Sequence, residues 1–197
     1  IRFEPFYSFV EVYCQIDIKQ IAKMAHTLPL EFFEQPTLVV ARALLGQTLV
    51  RQFENASVEA EIVEVEAYTV DDPACHAFGG RRPRCEVMFG PPGFAYVYFI
   101  YGMYYCLNVV TEVDGTAGAV LIRALAPRQE KGHEKLYSGP GKLCKQLQID
   151  LKFNGLPLFD DKQQLYLLPG RTISDEEVEV SPRIGISKAV DRPWRFY

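Results

Sequence analysis

Between Phe94 and Leu125 the chain places three strand-forming segments in succession, and their punctuation leaves little freedom in how they pair. FAYVYFIY (94–101) and MYYCLNVVT (103–111) are rich in aromatic and β-branched residues and meet at Gly102, a residue that weakens a strand interior. Pro91-Pro92-Gly93 marks a turn before the first, and Asp114-Gly115 marks another before AGAVLIRAL (117–125). Connections this short join antiparallel neighbours, because parallel strands need a crossover of a dozen residues or more. Within this block, YVYFIYGMYYCLN (96–108) gathers Tyr96, Tyr98, Phe99, Tyr101, Tyr104 and Tyr105. The tyrosine hydroxyls need partners if buried, so the rings read either as packing or as a surface that grips flat molecules.

Flanking segments complete the plan. Pro36-Thr37 opens the helix LVVARALLG, with Leu38, Ala41, Leu44 and Leu45 on one face and Gly46 as its stop. Strands are expected at 47–53 and 58–68, a short helix runs from Gly139-Pro140-Gly141 through Leu147, and QQLYLLP (163–169) and RIGIS (183–187) read as later strands. Helices flanking a central block of strands indicate an α+β fold. Residues 1–28 lack a clean period, although Asp17 could cap a helix through Ala25. They are read as an N-terminal extension without an assigned role, and 29–197 as one domain.

Composition excludes several classes. No apolar run is long enough to cross a bilayer and no signal-peptide order is present, so an intracellular soluble protein is expected. Five cysteines without a C-x-x-C pair indicate neither a disulfide framework nor a zinc site. The net charge of −4 argues against a strongly basic nucleic-acid binder, yet the charge is uneven. Residues 53–79 contain no Lys or Arg, whereas Arg81, Arg82 and Arg84, then Arg123 and Arg128, then Lys142 and Lys145, then Arg183, Lys188, Arg192 and Arg195 form basic groups. Such groups could track a polyanion or could be scattered solubilising charge.

The strand VEAEIVEVEAY (58–68) supplies candidate chemistry. Strict alternation puts Ile62, Glu64, Glu66 and Tyr68 on one face and Val63, Val65 and Ala67 on the other. Glu64 and Glu66 could lie on a solvated face, but His76 and Gly79-Gly80-Arg81 follow closely, and a loop can bring His and Glu together. No G-x-S-x-G or Cys/His signature supports a nucleophilic Ser or Cys, and the H-x-E with P-C-x-x-C pattern of zinc deaminases is missing. Lys142, at an expected helix start, is read as meeting phosphate.

IVEVEAY, CHAFGGRRPR, MFGPPG, YVYFIYGMYYCLNVV, VLIRALAP and GPGKLC occur here in one order and end on DRPWRFY. Together, over about residues 30 to 197, they resemble the alkyladenine (3-methyladenine) DNA glycosylase family. The resemblance implies a single α+β domain with a curved antiparallel sheet, similar to the C-terminal domain of methionyl-tRNA formyltransferase. It implies a monofunctional, metal-independent hydrolase that needs no cofactor, acts as a monomer on double-stranded DNA, and releases alkylated or deaminated purines.

By the same resemblance Glu66 is the general base for water, helped by Arg123 and the Ile184 carbonyl. Tyr68 and His76 hold the flipped purine with Tyr98 on its other face, and Asn108 disfavours guanine. Tyr101 enters the duplex, with Met103 and Tyr104 beside it, and Arg81, Arg82, Arg84 and Lys142 meet the backbone. Tyr96, Phe99 and Tyr105 are left to packing. The alternative reading is a non-catalytic nucleic-acid module that stacks bases on the same tyrosines. A carbohydrate glycosidase is disfavoured, because Glu64 and Glu66 are too close in sequence to flank a sugar.

Overall fold

Alternation of apolar and polar residues builds a sheet first, and the helices then cover one side of it. The structure is a computed structural model and describes residues 26–128, 132 and 134–197; the expected helix from Asp17 to Ala25 lies outside the described residues. The strands are β1 (Thr48–Gln52), β2 (Ser57–Thr69), β3 (Ala95–Ile100), β4 (Tyr104–Thr111), β5 (Gly118–Pro127), β6 (Leu165–Leu168), β7 (Val180–Ser181) and β8 (Arg195–Phe196). They form one curled sheet in the order β3-β4-β5-β2-β1-β6, and β8 joins both β2 and β7. Every pairing among the described residues is antiparallel, as the turn signals required. The fold is a single α+β domain.

The helix Thr37–Leu44 lies on the main core and buries Val40, Ala41, Ala43 and Leu44. Its first turn is held from afar: the Thr37 amide and hydroxyl donate to Glu112 Oε1 at 2.7 and 2.6 Å. Leu45 has already left the helix for an extended conformation, and Gly46 follows at φ 82°. Val97, Leu107, Val109, Val120 and Ile122 face this core. The opposite face, carrying Tyr96, Val110 and Ala119, packs a smaller cluster with Cys75, Ala77, Cys85 and Met88.

Two expectations change. The face assignment of β2 switches at Val63, because Ile62 opposes Leu125, Glu64 opposes Ala124 and Val65 opposes Ile122. An irregularity in the ladder reverses the side to which later residues point. Ile62 therefore joins Val65 and Ala67 in the core, while Glu64, Glu66 and Tyr68 lie on the other side. RIGIS, the second, is no strand: Gly185 at φ 78° breaks the extended conformation, and the pairing falls to Val180–Ser181 and Arg195–Phe196 instead. Among the described residues, no helix is long and apolar enough to cross a membrane.

Candidate functional site

The face of the sheet opposite the helix Thr37–Leu44 opens into a cleft of about 750 Å³. β2 brings Glu66 and Tyr68 to it, β3 brings Tyr96 and Tyr98, β4 brings Cys106 and Asn108, and β5 brings Arg123. The loop after β2 adds His76, and the segment 184–188 closes a further wall.

Glu66 is wholly buried at this site. Burying a carboxylate is costly unless donors meet it, and three do. The Tyr68 hydroxyl donates to Oε2 at 2.9 Å, the Ile184 amide donates to Oε1 at 2.7 Å, and Arg123 Nη1 lies 3.2 Å from Oε2. These contacts orient the carboxylate as an acceptor. Burial first, and then the neighbouring Glu66, push the Tyr68 hydroxyl far above the ordinary tyrosine range, so it stays a donor at neutral pH. For Ile184, the group in contact with Glu66 is the amide N–H.

Sequence reasoning placed Glu64 beside Glu66 without assigning it a task. Here Glu64 Oε1 accepts from Arg123 Nε at 3.0 Å and from Arg195 Nε at 2.6 Å, and Arg195 Nη1 donates to Ser181 Oγ at 2.9 Å. A charge chain thus runs from Glu66 through Arg123 and Glu64 to the C-terminal strands. The solvated-face reading of the two glutamates fails, since both side chains are at least four-fifths withdrawn from solvent.

His76 and Tyr98 form the aromatic wall, their centroids 4.6 Å apart with the rings edge to face. His76 Nδ1 lies 2.8 Å from the Tyr96 hydroxyl, so Tyr96 orients a site residue and is more than packing. Burial, followed by the charges of Arg84 and Arg82, lowers His76 to about 4, which leaves the ring neutral at physiological pH. Asn108 is buried and donates Nδ2–H to the Tyr96 carbonyl at 3.0 Å. Phe99 is 45% exposed and meets Tyr105 with centroids 5.0 Å apart, so it covers the strand edge and does not fill the core.

The β3–β4 hairpin carries the expected duplex-entering residues at its tip. Tyr101 is 74% exposed and Met103 66%. Tyr101 and Gly102 take φ 54° and 68°, which folds the tip into a tight turn with the tyrosine side chain outward. Tyr104 is less free, because its ring lies against Gly141, where an added Cβ would come within 2.8 Å of it. Arg81, Arg82, Arg84 and Lys142 are all exposed. Arg81 pairs with Glu86 at 2.7 Å, Arg82 donates to the carbonyls of Phe78 and His76 at 2.6 and 3.2 Å, and Arg84 sits over the Tyr98 ring.

One pair had no sequence signal. Arg183 and Asp72 are both fully buried and hydrogen-bonded, with Nη2 to Oδ1 at 3.0 Å and a second contact from Nη1 to Oδ2. The Arg183 guanidinium also donates to the Ala67 carbonyl at 2.9 Å and lies 4.6 Å from the Tyr68 centroid. Only their separation of more than a hundred positions hid them. Among the described residues, no group of three His, Cys, Asp or Glu side chains could hold a metal ion.

A family model described as methylpurine-DNA glycosylase (MPG) matches residues 31–197. A protein of Carboxydothermus hydrogenoformans is 49% identical over 180 residues, covering 86% of this chain and 94% of its own. One from Methanocella arvoryzae is 48% identical over 186 residues, covering 86% and 91%, and one from Rhodopseudomonas palustris is 46% identical over 185, covering 89% and 88%. Each bears the name "Putative 3-methyladenine DNA glycosylase". The match takes in the strands, the cleft and the C-terminal wall alike, and the chain belongs to the methylpurine-DNA glycosylase family.

Proposed function

We propose that the protein is a base-excision DNA glycosylase that extrudes alkylated or deaminated purines from duplex DNA and hydrolyses their N-glycosidic bond. The observation that carries the reading is Glu66, wholly buried beneath an aromatic cleft and held by Tyr68, Ile184 and Arg123. A base inside a duplex is out of reach of such a group, so it must leave the stack, at a cost of a few kcal/mol. Tyr101, exposed at the hairpin tip, fills the space left behind, with Met103 and Tyr104 alongside. The purine lies between Tyr68 and Tyr98, against His76, and Asn108 reads its edge.

Water attacks C1′ as the bond to the purine nitrogen breaks and its electron pair leaves with the base. Glu66 accepts the water proton and stabilises the oxocarbenium-like charge, while Arg123 and the Ile184 backbone hold the reacting geometry. The product is an abasic site; with no amine assigned to attack it, the enzyme is monofunctional. Arg81, Arg82, Arg84 and Lys142 contact the phosphates, and the enzyme acts as a monomer inside the cell. A stacking module without catalysis would have no use for a buried carboxylate, whose desolvation costs several kcal/mol.

The test uses one duplex carrying a single hypoxanthine or ethenoadenine and a second prepared from methylated DNA, each incubated with protein and then cleaved by alkali. Wild-type protein releases base, and Glu66→Gln lowers the rate by about 10²- to 10⁴-fold. Absence of release from both substrates, or an unchanged rate for the variant, removes the enzymatic reading.

A further inference from the structure

Three neighbouring arginines precede β3, and they differ in what holds them. Arg81 has Glu86, and Arg82 has two backbone carbonyls. Arg84 forms no salt bridge among the described residues; its guanidinium carbon lies 5.3 Å from the centroid of Tyr98, and its side chain lines the cleft with Tyr96, Tyr98 and His76. Its charge reaches the ring nitrogens of His76 and the Tyr96 hydroxyl. A flat cation therefore already rests on the tyrosine wall.

We propose that Arg84 is a stand-in for the damaged base, lying over Tyr98 and displaced when a purine enters. This rests on the reading of the cleft as a purine site. A guanidinium and an alkylated purine are both flat, and both favour the electron-rich face of tyrosine. Two cations side by side in a half-buried cleft repel, so they exclude one another. Release gives up the contact with the Tyr98 ring and a hydrogen bond to the Tyr96 hydroxyl, but among the described residues no carboxylate holds Arg84, which is itself exposed. Once outside it stands beside Arg81 and Arg82, where its charge meets a phosphate. Base entry and backbone contact are thereby coupled: an undamaged base that stacks weakly does not expel Arg84, and the extra phosphate contact is not made.

The coupling predicts opposite effects of one substitution on two ligands. The full chain and its Arg84→Ala and Arg84→Lys variants are titrated with 7-methylguanosine, a cationic purine without a phosphate, and with a duplex carrying one lesion. Arg84→Ala binds the nucleoside about three- to tenfold more tightly, because its competitor is gone. It binds the duplex more weakly, with a salt slope shallower by about one. Arg84→Lys also gains nucleoside affinity, since an ammonium does not stack as a guanidinium does, but keeps the native salt slope. Failure of Arg84→Ala to bind the nucleoside more tightly, or an unchanged slope, overturns the exchange. Excision of lesions by the wild-type protein, measured alongside, separates the two ideas: base release with no gain in Arg84→Ala rejects the stand-in alone, whereas no base release rejects the purine site.

Discussion

Asp72 and Arg183 show how much of the site depends on a pair buried behind it. Arg183 joins the loop after β2 to the C-terminal segment and backs the Tyr68 ring, while its neighbour Ile184 supplies the amide that holds Glu66. Removing one partner strands a buried charge, and Asp72→Asn is expected to cost about 3 to 5 kcal/mol in urea unfolding. Excision by the folded fraction falls as well, because Tyr68 and Ile184 lose their common support. His76 supports a pH prediction. Its ring is lowered to about 4 in the fold, while an unfolded histidine takes a proton near 6.5, so falling pH favours the unfolded chain between those values. Above 6.5 both forms are neutral and His76 contributes nothing to the slope. Titration by NMR is expected to show His76 neutral at pH 5, and His76→Gln is expected to lose less stability between pH 6.5 and 4 than wild type does. A midpoint near 6.5 in the folded protein contradicts this.

At the scale of elements, the β3–β4 hairpin and the irregularity in β2 do different work. The hairpin tip is exposed, so Tyr101→Ser is expected to leave the melting temperature unchanged while weakening damaged-duplex binding by about 1 to 3 kcal/mol. Single-stranded DNA loses less; equal losses would deny the tyrosine its place in the duplex. The irregularity at Val63 lets one strand bury Ile62 in the main core and still deliver Glu64, Glu66 and Tyr68 to the opposite face. Another close approach is unforgiving: a Cβ on Gly170 would stand 1.9 Å from the Gly46 carbonyl oxygen and 2.9 Å from Gln47 Cα. Backbone lies at both points, so Gly170→Ala forces apart the start of β1 and the chain leaving β6. A loss of about 1 to 3 kcal/mol in thermal stability is expected.

Across the whole molecule, a net charge of −4 must still present a face to a polyanion. Segregation solves this, since the acidic residues of β2 turn inward to Arg123 and Arg195 or pair at the surface with Arg128 and Arg171. Arg81, in the loop beside the cleft-lining Arg82, and Lys142, in the helix that begins at the cleft-lining Pro140, remain exposed. Arg81 keeps its carboxylate, but an exposed pair is worth less than about 1 kcal/mol, so a phosphate can displace Glu86. Arg81→Ala and Lys142→Ala are each expected to reduce the salt dependence of duplex binding by about one, without changing which lesion is excised. Unchanged slopes return both residues to solubility.

The sequence by itself determined the strand plan, the antiparallel pairing and the motifs that mark Glu66, Tyr68, His76, Tyr98 and Asn108. The strands and their pairing depend on local alternation and turn chemistry, which neighbouring residues carry, whereas the motif residues stand out only through the resemblance to the glycosylase family. It did not reveal the strand irregularity that carries Ile62 into the core, the loop in place of RIGIS, the pair Asp72–Arg183, the chain through Glu64 to Arg195, or the resting place of Arg84. Each of these is decided by where distant segments meet, and a charge buried in the fold is indistinguishable in sequence from a charge in water. Tertiary structure alone removes Glu66 and Asp72 from solvent and so obliges the donors around them to be there.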